Sequence, residues 1–224
     1  EVNLLLDFTR RIAGLQRQAI PERSGSTADI ARLLLDSALS AVPTAQAAAV
    51  FLWDRPRELL IPQAVSGYAN QAALMEIALQ RGEGLPGQAF ADNRAIRIAE
   101  VDFARHYRLN PENLLRFRNA AAGASPVSSM VVPLSAFSQA AQDTDRQDSG
   151  PESEPFGVVV LEHYQAAGAF TPEDEALIAS LARQTALALE NAGLFWAAER
   201  RARQLQALSE AAAATAASLQ TDQL

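Results

Sequence analysis

The two histidines are the first residues to consider as chemical groups, because imidazole binds metals and transfers protons near neutral pH. His106 and His163 lie far apart in the sequence, and neither has a cysteine or carboxylate companion at the spacing of a metal site. We therefore expect structural roles for both. Haem ligation through one of them remains a less favoured alternative.

Arginines in one irregular stretch form the second candidate group. Acidic residues in the same stretch partly offset their charge, so a solvated face is the default interpretation. The alternative is that one or two guanidinium groups bind an anionic ligand bidentately in a pocket. The cluster consists of Arg94, Arg97, Arg105, Arg108, Arg116 and Arg118.

Missing residue types exclude several kinds of chemistry. The chain has no cysteine, which removes disulfides, thiolate nucleophiles and cysteine-ligated metal clusters. All 19 basic residues are arginine, so neither a lysine Schiff base nor a P-loop can form. The glycines of Gly82-Glu83-Gly84-Leu85-Pro86-Gly87 match a dinucleotide-binding string, but no strand precedes them. We interpret them as a turn that brings the backbone close to the start of a helix.

The charge of the chain argues against nucleic-acid binding. The net charge is -7 and the isoelectric point is near 4.9, whereas binding to phosphate backbones needs a basic surface. Much of the acidity falls in the polar stretch 138–155, which is predicted to be a loop without a functional interpretation. No apolar run is long enough to cross a bilayer, and no signal pattern is present. We expect a cytoplasmic fragment of a longer protein.

The chain begins with two predicted helices followed by a hairpin. Apolar residues recur at three and four spacing from Val2 to Gln18, and again from Ser26 or Thr27 to just before Pro43. Two apolar runs, 47–53 and 59–65, are then joined by polar turn residues, which predicts a β-hairpin. The first run has no polar alternation, so the sheet should be covered by helices on both faces.

Further strands are predicted at 95–99, 127–134 and 156–164, the last two as partners. Residues 70–81 are predicted to be helical, and the pattern from Val101 to Phe117 is irregular. The last helix begins at Thr171-Pro172-Glu173-Asp174, which has an N-cap, a proline at the first helical position and an acid at the third.

This last helix is predicted to continue to about Leu219 and to extend beyond the globular domain, because no proline interrupts it. Its distal part keeps an apolar seam without an intrachain partner, which favours a parallel homodimer through the terminal helices. Leu4, Leu5 and Phe8 of the first helix are expected to add to that bundle. The alternative is a lone alanine-rich helix that frays. The seam consists of Leu205, Leu208, Ala212 and Leu219.

Several strings in a fixed order resemble the GAF domain family. They are Ala48 to Asp54 with Ala64 to Gly67, Gly82 to Ala89, Ile96 to Val101, Ser128 to Leu134, Phe156 to Leu161, and Phe170 to Glu175 continuing to Asn191. The resemblance implies an α+β fold: a central antiparallel sheet of five or six strands, terminal helices on one face, a ligand pocket on the other, and a long C-terminal helix. It divides the chain into a linker helix at 1–20, a sensory domain at 27–191 and a signalling helix at 192–224.

The function implied by the resemblance is that of a small-molecule-sensing, dimerising regulatory module, itself non-catalytic, in a multidomain bacterial signalling protein such as a sensor histidine kinase. Partners would be a second copy, adjacent domains and an unidentified small molecule. Cyclic-nucleotide-binding members carry an Asn-Lys pair where this chain has Glu162-His163-Tyr164, so we do not expect that ligand. Covalent bilins and the family's methionine sulfoxide reductase activity both use cysteine and are excluded.

The pocket predicted on this basis is aromatic, with two basic side chains at its edge. No particular cofactor is implied. The alternatives are a structural spacer whose pocket is filled by its own side chains, and a haem sensor. The predicted pocket residues are Phe51, Trp53, Phe90, Ile98, Phe103, Arg105, His106, Tyr107 and Phe117.

Overall fold

The computed structural model describes residues 2–18, 25–136, 154–193 and residue 201. The chain forms two compact units, residues 1–189 and 190–224. In the second unit the described residues, 190–193 and 201, are helical. Most of the acidic stretch lies outside the described residues, and so do the predicted dimer positions Leu205, Leu208, Ala212 and Leu219.

A five-stranded antiparallel sheet forms the centre of the first unit, as the sequence predicts. Its spatial order is β2-β1-β5-β4-β3, with the predicted hairpin at one edge. β4 and β5 pair with each other, which confirms the predicted partnership. The strands are β1 (Ala47–Asp54), β2 (Leu59–Ser66), β3 (Ile96–Ile98), β4 (Ser128–Pro133) and β5 (Gly157–His163).

Seven helices are described around this sheet. The first two and the last lie on one face, and the four between β2 and β4 lie on the other, so the sheet is covered on both sides as predicted. The helices are α1 (Val2–Gln18), α2 (Gly25–Ala41), α3 (Gln71–Met75), α4 (Gly84–Asp92), α5 (Phe103–His106), α6 (Pro111–Ala120) and α7 (172–193).

The face covered by α1, α2 and α7 is packed by apolar side chains. Ile30 and Leu34 of α2 and Ile178 of α7 are fully buried there, and alternate strand residues point toward them. Phe8 of α1 is 1% exposed in the same core. Its predicted contribution to a dimer bundle is therefore wrong, because the side chain already has partners in its own chain. The side chain of Leu4 lies outside what the structure describes.

The start of α7 follows the predicted capping pattern. The Thr171 hydroxyl oxygen accepts the Asp174 N–H (3.1 Å), and the Asp174 carboxylate accepts the Thr171 N–H (2.8 Å). These reciprocal bonds satisfy backbone donors that a helix N-terminus leaves without partners. The local sequence therefore determines where this helix begins.

The opposite face departs from the prediction in two segments. Of the predicted helix at 70–81, only Gln71–Met75 is helical, because the backbone of Leu79 leaves the helix to pair with Leu60 through two hydrogen bonds of 2.8 and 3.0 Å. The stretch predicted as irregular contains α5 and α6. Each begins at a side-chain cap, Asp102 for α5 and Asn110 for α6.

Within the described ranges, no helix is both long and apolar enough to span a membrane.

Candidate functional site

A cavity lies between the sheet and the helices α3 to α6. Its volume is about 20 Å³, counted as the space open to the centre of a water molecule, which is room for about one water. The walls are mostly apolar and aromatic. The lining residues are Phe51, Tyr68, Leu74, Ile77, Leu79, Pro86, Tyr107, Leu109, Phe117, Val160 and Glu162.

Glu162 places a carboxylate in this apolar wall. It follows Val158 and Val160 at every second position of β5, so the three side chains share the face of the sheet that meets the cavity. Glu162 is 1% exposed. A carboxylate removed from water in this way is costly unless other groups hydrogen-bond it.

All three tyrosines of the chain converge on this carboxylate. The Tyr107 hydroxyl donates to Oε1 of Glu162, and the Tyr164 hydroxyl donates to Oε2 (2.6 Å). Tyr68 lies close enough for the Glu162 charge to raise the pKa of its hydroxyl. Tyr68 and Tyr107 are buried, and Tyr164 is half-buried. We call Glu162 and these three residues the tyrosine–carboxylate cluster.

Burial sets the protonation behaviour of the cluster. It raises the pKa of the Glu162 carboxyl above its ordinary value, and the tyrosine hydrogen bonds act in the opposite direction. Burial, with the nearby Glu162 charge, also raises the pKa of the Tyr68, Tyr107 and Tyr164 hydroxyls. The tyrosines therefore remain protonated donors throughout the physiological range.

Buried Asn113 of α6 holds the segment 78–83, in which Leu79 lines the cavity. Its amide nitrogen donates to the Ala78 carbonyl (2.7 Å) and to Glu83 Oε1 (2.9 Å), and its amide oxygen accepts the Ala78 N–H (3.3 Å). Glu83 also accepts the N–H groups of Gln80 and Asn110. The segment 78–83, which leads from α3 to α4, is thus held by side-chain hydrogen bonds.

The glycine-rich string forms the predicted turn at the start of a helix. Gly84 has φ +62° at the first residue of α4, a conformation that other residues rarely adopt. A Cβ on Gly87 would lie 2.5 Å from the Gln80 carbonyl oxygen, so only glycine fits this close approach.

Three of the predicted pocket residues line the cavity: Phe51, Tyr107 and Phe117. Phe103 stands behind them, with its ring centroid 4.9 Å from that of Tyr107 and 5.7 Å from that of Phe117. It supports the aromatic wall without being part of it. Position Ile98 is half-buried and packs against the same core, away from the lining.

Four other predicted positions have different surroundings. Trp53 and Phe90 pair with each other, with ring centroids 4.6 Å apart, and neither lines the cavity. Arg105 is exposed. His106 accepts the Asp102 N–H at Nδ1 (3.1 Å) and so stabilises the turn of α5.

Among the remaining candidates, Arg94, Arg108 and Arg118 are exposed, and the others have structural partners. His163 Nδ1 lies 2.7 Å from the Thr44 carbonyl oxygen. Arg97 binds Glu175 (2.9 Å) and Arg116 binds Glu112 (2.7 Å). Among the described residues, no group of three or more His, Cys, Asp or Glu side chains is placed to hold a metal ion.

Sequence reasoning did not find Glu162. The signal was present, because a carboxylate that shares a strand face with Val158 and Val160 must be buried if the sheet is covered on both sides. Val160 shares this signal, since it lies on the same strand face. No comparable signal existed for the remaining lining residues that were missed, since they come from loops and short helices. The lining residues missed were Tyr68, Leu74, Ile77, Leu79, Pro86, Leu109, Val160 and Glu162.

Comparison with known proteins gave a family match and structural neighbours. A family model described as GAF domain matches residues 26–189. The GAF domain of a phosphoenolpyruvate-protein phosphotransferase from Acinetobacter has 18% identity and a TM-score of 0.59, covering 86% of this chain and 96% of that chain. The corresponding domain from Coxiella burnetii has 20% identity, a TM-score of 0.59 and the same coverage.

A third neighbour is an enzyme. Free methionine-R-sulfoxide reductase from Neisseria meningitidis, solved in complex with its substrate, has 19% identity and a TM-score of 0.51, covering 84% of this chain and 86% of that chain. At these identities the likeness concerns the fold alone. No curated protein sequence matches the chain.

Proposed function

The chain belongs to the GAF domain family of regulatory and sensory modules, and from this premise we propose that it binds a small molecule and dimerises within a multidomain signalling protein such as a sensor histidine kinase. The observation that carries the proposal is the tyrosine–carboxylate cluster in the wall of the apolar cavity. A buried carboxylate without a cation lowers stability, and an apolar residue would pack there at less cost. A few convergent polar groups in an apolar cavity are typical of ligand sites.

Occupancy can be relayed only if it favours one arrangement of the output helix. Supporting such a relay, Glu162 lies near the end of β5, and the next helix along the chain is α7. Arg97 of β3 binds Glu175 in the first turns of α7 and also approaches the Phe170 carbonyl (3.5 Å). A shift at the cavity would reach the start of α7 through this short connection.

Two exposed leucines support dimerisation through the terminal helices. Leu6 of α1 is 49% exposed and Leu187 of α7 is 45% exposed. Their helices are joined by a hydrogen bond between Thr9 and Gln184 (2.8 Å). We expect Leu187→Glu to shift sedimentation velocity toward the monomer. The matched control is Leu115→Glu, at a 70% exposed leucine of α6 on the opposite face, and it should leave the dimer unchanged. A monomeric native chain at high concentration would refute this part.

The module is proposed to be non-catalytic. The chain has no cysteine, the residue on which the reductase activity of the family depends. The expected kinase context and cytoplasmic location remain predictions.

Native mass spectrometry with a metabolite library tests the sensing proposal. A ligand should appear bound to the native chain and raise its melting temperature. The variant Val160→Phe, which fills the cavity from β5, should lose both effects. If no compound binds the native chain, or if binding survives in the filled variant, sensing at this cavity is wrong.

A structural spacer is the second candidate, and the size of the cavity favours it. Room for about one water is less than a metabolite needs, and the Phe103, Tyr107 and Phe117 rings already pack against each other. A spacer would keep its dimer and its output unchanged in Val160→Phe. A sensor would keep its dimer and lose its response.

A further inference from the structure

We propose that the cavity binds the ammonium head of a small primary amine, held by the Glu162 carboxylate and the tyrosine oxygens. This inference rests on the proposed sensing function and names the chemical class of its ligand. It follows from the charge, the hydrogen-bonding capacity, the aromatic walls and the volume of the cavity.

The charges of the lining residues favour a cationic ligand. Glu162 is the only carboxylate among the lining residues, and no arginine or histidine stands among them. The described part of the chain therefore leaves this site without a counter-charge. A cationic ligand would supply one, and a buried pair is far less costly than a lone buried charge.

The second step concerns donors and acceptors. A tyrosine hydroxyl has one hydrogen to donate, and Tyr107 and Tyr164 direct theirs to Glu162. The free capacity of these three side chains then consists of lone pairs on the carboxylate and on the phenolic oxygens. An ammonium group has three donors and no acceptor, so it matches this surface.

The third step concerns the walls. Rings of Phe51, Tyr68, Tyr107 and Phe117 line the space beside Glu162. The negative faces of such rings attract cations, and the attraction strengthens where water is excluded. An anion has no comparable attraction to these faces.

The fourth step concerns size. The space holds about one water-sized group, and an ammonium head is of that size. A trimethylammonium group or a nucleotide would require the segment from Leu74 to Leu79 to move. The volume therefore favours a primary amine over larger cations. A buried water in the same place is the competing occupant.

The test uses methylammonium chloride as the probe on the full chain, with sodium chloride at equal ionic strength as the reference. Methylammonium should raise the melting temperature, and NMR should show contacts between its methyl group and tyrosine rings. Tetramethylammonium, which is too large, and methanol, which is neutral, should do neither. No difference between methylammonium and sodium, with a water alone in the cavity, overturns the proposal.

Two variants locate the effect. Glu162→Gln keeps the shape and removes the charge, and we expect methylammonium affinity to fall at least about tenfold. Glu100→Gln makes the same change at an exposed position and should bind like the native chain. Tyr164→Phe, at the half-buried edge of the cluster, should give an intermediate loss and remains informative if Glu162→Gln does not fold. Equal binding by the native chain and Glu162→Gln, or by the native chain and Tyr164→Phe, counts against the site.

Failure of this inference differs from failure of sensing. If a neutral or anionic metabolite binds in the cavity and Glu162→Gln binds it equally well, the amine inference is wrong and sensing stands. If neither amines nor any library compound bind, both are wrong.

Discussion

The two faces of the sheet differ in the side chains that pack against the same strands. Toward α1, α2 and α7, alternate strand residues meet mostly apolar side chains, with leucines and isoleucines fully buried. Toward α3 to α6, the strands meet aromatic rings, a cavity and the buried carboxylate of Glu162. A dry, close-packed layer stabilises a fold through burial and dispersion. A layer with a void and a desolvated charge gives up part of that stability.

The cavity face is therefore the functional candidate of the two. The helix face could exchange one apolar side chain for another of similar volume without a change in chemistry. The cavity face could not, because the tyrosine–carboxylate cluster depends on particular hydroxyl positions. We expect substitutions to separate the two faces in the size and the kind of their effects.

The largest expected effect is truncation in the closed core. Leu34→Ala on the helix face should lower the free energy of unfolding by close to 5 kcal/mol, because dense packing prevents collapse around the new void. Leu79→Ala beside the cavity should lower the free energy of unfolding by only about 2 kcal/mol, because that side chain already borders empty space. Denaturant unfolding measures both. Equal losses of unfolding free energy in the two variants would contradict a difference in packing between the two faces.

The next largest loss of stability is expected where Asn113 holds the segment 78–83 beside the cavity. Asn113→Ala removes the partners of the Ala78 N–H and carbonyl groups and should cost about 1–3 kcal/mol. The control is Asn119→Ala in the same helix, where an exposed side chain makes one long hydrogen bond of 3.4 Å to Asn70. That change should stay within about 0.5 kcal/mol. Similar losses in both variants would mean that Asn113 does not anchor this segment.

The pH dependence of stability should carry the signature of Glu162. Its pKa is raised in the folded chain, so it stabilises the fold most below its ordinary value of 4.5. The free energy of unfolding should then fall as pH rises from about 4.5 through the folded-state pKa, by at most about 1.4 kcal/mol per pH unit from this group. Subtracting the Glu162→Gln profile from the native profile isolates the contribution. A difference that rises with pH in this window would contradict the raised pKa.

The same measurement at alkaline pH reports on the tyrosines. Their pKa values are raised in the folded chain, so the unfolded chain loses protons first, above about pH 10. Stability should therefore fall further as pH rises beyond this point. Tyr164→Phe should reduce that loss in comparison with the native chain, and an unchanged alkaline profile would argue against the raised pKa of the Tyr164 hydroxyl.

The smallest expected effect lies at the start of α7, on the helix face. Asp174→Ala removes the acceptor for the Thr171 N–H and hydroxyl groups and should cost about 1 kcal/mol. Neighbouring Glu173→Ala, at an exposed position, serves as the control and should cost less. If the Glu173 variant loses as much stability as the Asp174 variant, the capping hydrogen bonds do not stabilise this helix.

Most of the sheet and the terminal helices were predictable because their signals are local. The hairpin of β1 and β2, the pairing of β4 with β5 and the start of α7 all follow from apolar runs and capping residues. The prediction of a helix over 70–81 was wrong, because a long-range pairing of Leu79 with Leu60 ends the helix early. The stretch 101–117 concealed two short helices because their apolar residues are few and their caps are single side chains.

The candidate site was only partly predictable for the same reason. Phe51 lies in a strand whose face could be inferred, and Tyr107 and Phe117 lie in the segment expected to cover the cavity. Trp53 and Phe90 lie outside the lining and pack against each other, and aromatic character alone does not distinguish a cavity wall from a packed pair.

By itself, the sequence determined the order of the five strands and of the helices on one face of the sheet, the covered sheet and the exclusion of cysteine and lysine chemistry, because these depend on composition and on spacing along the chain. Only the tertiary structure decided that the three tyrosines of the chain meet at one carboxylate. Tyr68, Tyr107 and Tyr164 follow different elements, and their convergence on Glu162 depends on how strands and helices pack in space. No local pattern records such a distance between residues far apart in sequence.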